Sequence, residues 1–90
     1  MLLSARSVPV LWRLARLDFD AVRQQHVLLY PEGAVLLNET GTAILKLCDG
    51  RRTVGAIAEI LQERYQRDVT SDIIEYLTQL AEQEFVHDAG

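Results

Sequence analysis

The chain carries one cysteine, Cys48, so no intramolecular disulfide can close and no thiolate-rich metal site can form. A lone cysteine of this kind reads as a small buried hydrophobe and suits a reducing cytoplasm. Positive charge is scarce as well. Nine Lys and Arg against thirteen Asp and Glu leave a formal net charge of −4. A surface built for phosphate backbones or anionic lipid needs the opposite balance. No run approaches the roughly 18 apolar residues that a membrane span requires. The opening Met1-Leu2-Leu3-Ser4-Ala5-Arg6 does not resemble a secretory signal, because its charge follows a short apolar run instead of preceding a long one. The expected setting is the cytoplasm, with neither a membrane nor a nucleic-acid partner.

Catalytic constellations are missing too. His26 and His87 stand far apart, and neither has a Cys or carboxylate at metal-ligand spacing. Ser4, Ser7 and Ser71 lack the glycines of a nucleophile elbow. Gly50 is a lone turn glycine, and Gly41 and Gly55 stand near helix starts, so no phosphate loop can be assembled from them. Asp18 and Asp20 share one strand face and could in principle pair as acid and base; a solvated outer face is the plainer reading. The expectation is a non-enzyme with no catalytic residue, no metal and no cofactor.

What is present is ordinary globular composition, 49% hydrophobic and 24% charged over 90 residues, enough for one domain with one modest core. No internal repeat or low-complexity segment interrupts it. Residues 1–12 show no clear period and read as an N-terminal arm, with the domain proper at 13–90. The arm carries Leu2, Leu3, Val8, Val10, Leu11 and Trp12, too apolar for a free tail. It should fold back on its own domain or cross to a second copy, giving a monomer or a segment-exchanged homodimer.

Leu14 to Asp20 alternates, with Ala15, Leu17 and Phe19 on one side and Arg16, Asp18 and Asp20 on the other, the pattern of a half-buried strand. His26 to Tyr30 is a second strand. Pro31-Glu32-Gly33 then reads as a three-residue hairpin loop, with Gly33 in the left-handed position, and Ala34 to Leu37 as the third strand. Asn38 caps a first helix with Ala43, Ile44 and Leu47 on one face, stopped by Asp49-Gly50. Thr53 caps a second, whose stripe is Val54, Ile57, Ala58, Leu61 and Tyr65. Thr70 or Ser71 caps a third, running to about Glu84 with Ile73, Ile74, Leu77, Leu80 and Ala81, and Phe85-Val86 begins an extended tail. The fold class is α+β, a three-stranded antiparallel sheet followed by three helices, winged-helix-like in its helical half.

A winged-helix arrangement raises the alternative of a DNA-binding regulator. Charge opposes it: from Asp68 to Gly90 there are six acidic residues and no Lys or Arg. The third helix also has more apolar width than a small core needs, and the third strand is apolar on both faces. An edge of that kind invites another strand. The expected site is therefore strand addition along Val35, Leu36 and Leu37, with the peptide's side chains against Ile74, Leu77 and Ala81.

Two segments carry a family resemblance. Leu37-Asn38-Glu39-Thr40-Gly41, and Ala43-Ile44-Leu45-Lys46-Leu47-Cys48-Asp49-Gly50-Arg51-Arg52-Thr53-Val54 after it, resemble the PqqD family of pyrroloquinoline quinone (PQQ) biosynthesis. Ile57, Ile60, Leu61, Tyr65, Asp68-Val69, Leu77 and Leu80 continue it, so that it spans roughly residues 13–86. The resemblance implies a peptide-recognition element that binds the precursor peptide PqqA and presents it to PqqE. PqqE would be a radical S-adenosylmethionine (SAM) enzyme joining a glutamate and a tyrosine of that peptide. The chain departs from the family at Glu84-Phe85-Val86, where relatives commonly carry a glycine just after the third helix.

Overall fold

In the computed structural model, which describes residues 3–90, the elements run β1 (Pro9–Leu11), β2 (Arg16–Asp20), β3 (Gln25–Tyr30), β4 (Gly33–Leu36), α1 (Glu39–Lys46), α2 (Val54–Tyr65), α3 (Thr70–Glu82) and β5 (Val86–Asp88). Strands β2, β3 and β4 form an antiparallel meander in sequence order, which leaves β2 and β4 as its two edges. Strands β1 and β5 form a separate antiparallel pair. The α+β class and the three-helix order match the sequence pattern; the small second sheet is an addition to it.

Capping sets the helix starts. Asn38 Oδ1 accepts the Gly41 amide at 2.7 Å, and Thr53 Oγ1 accepts the Ala56 amide at 3.0 Å. Each satisfies one of the donors that a helix N-terminus leaves orphaned. The third cap differs from expectation. Neither Thr70 nor Ser71 caps α3; Asp68 Oδ1 instead accepts both the Thr70 amide at 2.9 Å and the Thr70 hydroxyl at 2.6 Å. A carboxylate takes charge-assisted hydrogen bonds that a hydroxyl cannot match. The α2 stripe is buried as its spacing requires, through Val54, Ile57, Ala58 and Leu61, and meets Ile73, Leu77, Leu80 and Ala81 of α3 in one core.

The β3–β4 turn also differs. Tyr30 pairs directly with Gly33, so the loop is the two residues Pro31–Glu32, and Gly33 is the first residue of β4 without a positive φ. Phe19 departs from its alternation: it is 47% exposed near the loop end of the β2–β3 hairpin, edge-on to His26 with ring centroids 5.0 Å apart. Leu47, expected on the inner face of α1, is its half-buried C-cap.

The arm is folded onto its own chain. Leu3 is in the core, and β1 pairs with β5 from Pro9↔Asp88 to Leu11↔Val86. Carbonyls of the arm also meet the start of α2: the Val54 amide donates to Ser7 at 2.8 Å and the Gly55 amide to Ala5 at 2.9 Å. Met1 and Leu2, counted with the arm in the sequence, lie outside the described residues.

Past α3 the chain turns sharply. The Phe85 amide donates to the Leu80 carbonyl at 3.0 Å and the Glu84 amide to the Ala81 carbonyl at 2.9 Å, while Glu84 takes φ 65°. This is the double hydrogen-bond pattern that ends helices with a left-handed residue. Here the left-handed residue is a glutamate.

Candidate functional site

Strand β4 is an open edge beside a helix. Its outer hydrogen-bonding side has no strand neighbour among the described residues. Along it Ala34 and Leu36 are exposed, Leu36 by 50%, while Val35 is half-buried against the core. The Leu37 amide donates to the His26 carbonyl at 3.0 Å and the side chain is buried, so Leu37 anchors the strand's end.

The direction of α3 relative to this edge follows from its two ends. Tyr76, in the middle of α3, lies against Gly41 in the first turn of α1, and α1 begins just beyond the end of β4. Gln83, immediately after α3, shares a cavity of about 330 Å³ with Tyr30 and Glu32, which precede the start of β4. The helix therefore runs antiparallel to β4, and the space between them is bounded by Tyr76 at one end and by this cavity at the other. Trp12, Phe85, Glu84 and His87 complete the cavity wall, and Tyr30 and Phe85 stack at a tilt with centroids 4.8 Å apart.

The six residues expected to line the site are distributed unevenly. Val35 and Leu36 are on the edge. Leu37, Leu77 and Ala81 are core residues, Leu77 fully enclosed. Ile74 is half-buried, and with Ala81 it lies roughly 140–160° around α3 from Tyr76 at 100° per residue. The α3 flank turned to α1 and β4 is that of Tyr76 and Gln83. Tyr76 is not among the residues expected from the sequence, and its contact with Gly41 shows that this flank meets α1.

The electrostatics of this flank are acidic. Asp72, Glu75 and Glu82 are exposed on α3, and no Lys or Arg follows Arg67. Burial raises the Tyr76 phenol above its ordinary range, with Cys48 as a smaller second cause, so Tyr76 remains an uncharged hydrogen-bonding group. Cys48 is buried and its thiol is pushed up to about 12, chiefly by burial and then by the Asp49 carboxylate, which suppresses thiolate chemistry. Asp18 and Asp20 have local roles instead of a shared one. Asp18 accepts the Phe19 amide at 2.8 Å, and Asp20 accepts the Val22 and Arg23 amides across the hairpin loop. No group of three His, Cys, Asp or Glu among the described residues is arranged to hold a metal ion, and no helix of the structure is long and apolar enough to cross a membrane.

The exposed β4 edge and the aromatic cavity near its start are the features that an added strand would use. Comparison with known proteins identifies the family. The family model described as "Coenzyme PQQ synthesis protein D (PqqD)" matches residues 25–86. A Klebsiella pneumoniae protein named "PqqA binding protein" is 47% identical over 73 residues, covering 79% of each chain. A protein of the same name from Pseudomonas paraeruginosa is 49% identical over 76 residues, 82% of this chain and 83% of that one. Among solved structures, the PqqD truncation of Methylobacterium extorquens PqqCD superposes with a TM-score of 0.82 at 43% identity, over 94% of both chains. That solution NMR structure represents a functional, stand-alone recognition element for ribosomally synthesized and post-translationally modified peptides. These relatives lend no support to the DNA-binding alternative.

Proposed function

The chain belongs to the PqqD family of coenzyme PQQ synthesis proteins, and from that membership we propose that it binds a PqqA-type precursor peptide by strand addition to β4. The observation that carries the reading is the open β4 edge, past whose two ends the Tyr76–Gln83 stretch runs in the opposite sense. Backbone hydrogen bonds along residues 33–36 supply affinity that is indifferent to sequence, and side chains on alternate positions meet Leu36 and the Tyr76 flank of α3. Leu37 and Leu77 shape the floor from within the core.

The protein performs no chemistry in this proposal. It works in the cytoplasm, holding the peptide extended and offering it to PqqE, the radical SAM enzyme that would join glutamate and tyrosine. An acidic α3 suits a peptide partner and disfavours DNA.

Titration of the isotope-labelled protein with the PqqA-type peptide tests the site. Amide shifts should cluster on Gly33 to Leu37 and on Tyr76 to Gln83. Shifts confined to Arg16, Asp18 and Asp20 would move the site to the β2 edge, and an unchanged spectrum would end the peptide-binding reading.

A further inference from the structure

We propose that the cavity at the start of β4 is a side-chain pocket for a Lys or Arg of the bound peptide. The inference rests on the strand-addition reading and adds a chemical requirement to it. The aromatic residues Trp12, Tyr30 and Phe85 line it together with the acidic Glu32 and Glu84, and Gln83 and His87 complete the lining. Aromatic faces attract a cation through the ring quadrupole, and the carboxylates complement its charge. No Lys or Arg lines the cavity.

The helix ends point the same way. Lys46 and Arg64 sit in the last turns of α1 and α2, where a cation complements the negative end of the helix dipole. The last turn of α3 has no basic residue, and the cavity is built from the residues that directly follow it. The complementary cation is then supplied by the ligand. Glu84 fits this use. It holds a left-handed φ of 65° that glycine would adopt without strain, and it is one of the residues lining the cavity.

Trp12 is the chain's one tryptophan, so its emission reports on this pocket. Three probes are titrated into the full chain: the PqqA-type peptide, the same peptide with each Lys and Arg replaced by Gln, and N-acetylargininamide. The parent peptide should shift Trp12 emission and bind about fivefold more tightly than its Gln version. The Glu32→Gln/Glu84→Gln variant should lose that preference and bind the two peptides equally. Glu84→Gly should raise the melting temperature yet weaken the parent peptide, whereas a purely structural Glu84 would move the melting temperature alone. Equal affinity of the wild type for both peptides overturns the pocket and leaves strand addition standing. If neither peptide binds, strand addition fails. N-acetylargininamide then decides: a Trp12 shift that the double variant lacks keeps a cation site, and its absence removes the pocket as well.

Discussion

The Tyr76 hydroxyl occupies the space that a β-carbon on residue 41 would need: an ideal Cβ built on Gly41 falls 2.5 Å from the phenolic oxygen and 2.9 Å from Cζ. Alanine in a helix interior is ordinarily favoured over glycine by about 1 kcal/mol. Here Gly41→Ala should instead destabilise by about 1 kcal/mol, because the half-buried ring must leave its packing. In a Tyr76→Ala background the same change should stabilise by about 0.5–1 kcal/mol. Urea denaturation of the four proteins forms the cycle, and strict additivity would show that Tyr76 does not govern residue 41.

Leu61→Ala should cost about 2–4 kcal/mol, since the side chain is buried mid-stripe on α2 between α1 and α3. Asp72→Ala should change stability by less than about 1 kcal/mol. Its ion pair with Arg67 at 2.9 Å is solvent-exposed on both sides. Calorimetry that ranked the two in reverse order would contradict the packing of α2.

Stability should fall in acid through three carboxylates that accept local donors. The Asp49 carboxyl is held below its ordinary range by the amides of Arg51 and Arg52, Asp68 by the hydroxyl and amide of Thr70, and Asp88 by the amides of Val8 and Gly90. A pKa lowered by folding contributes stability that is present above the ordinary carboxylate range and is lost as pH drops through it toward the lowered values. Melting temperatures from about pH 7 to about pH 3 should therefore decline, and the decline should be shallower when all three are Asn. Identical slopes would assign the acid loss to other groups.

Much of this was legible in the sequence, and the residues explain why. Asn38, Thr53 and the Val54–Ile57–Ala58–Leu61 stripe act over three or four positions, so spacing alone reveals them. The Asp68 cap was missed because Thr70 and Ser71 are equally good capping types and only geometry selects Asp68. Spacing alone does not say which flank of α3 lies nearest α1, because Ile74 and Tyr76 both border the apolar stripe; the contact of Tyr76 with Gly41 comes from the tertiary fold. The cavity was illegible for a stronger reason. Trp12, Tyr30, Glu32, Glu84 and Phe85 come from the arm, the β3–β4 turn and the end of α3, segments that no periodicity connects.

The arm supplies a further test. A chain beginning at Arg13 loses β1, buried Leu3 and the carbonyls of Ala5 and Ser7 that meet α2. Its melting temperature should fall markedly. We propose that the same contacts can form between two copies at high concentration, since exchange of a terminal segment preserves them. Sedimentation should then show concentration-dependent dimer for the full chain and monomer for the shortened one. Monomer for both, up to millimolar protein, would remove exchange.

The pairing of Pro9 with Asp88 brings the polypeptide's way in and way out to one place. A fold that is entered and left at a single point can be joined to another domain, or set within one, without stretching either partner. The solved PqqD structure was cut from the longer PqqCD chain, and a joint of this kind suits a fold that occurs within a fused protein.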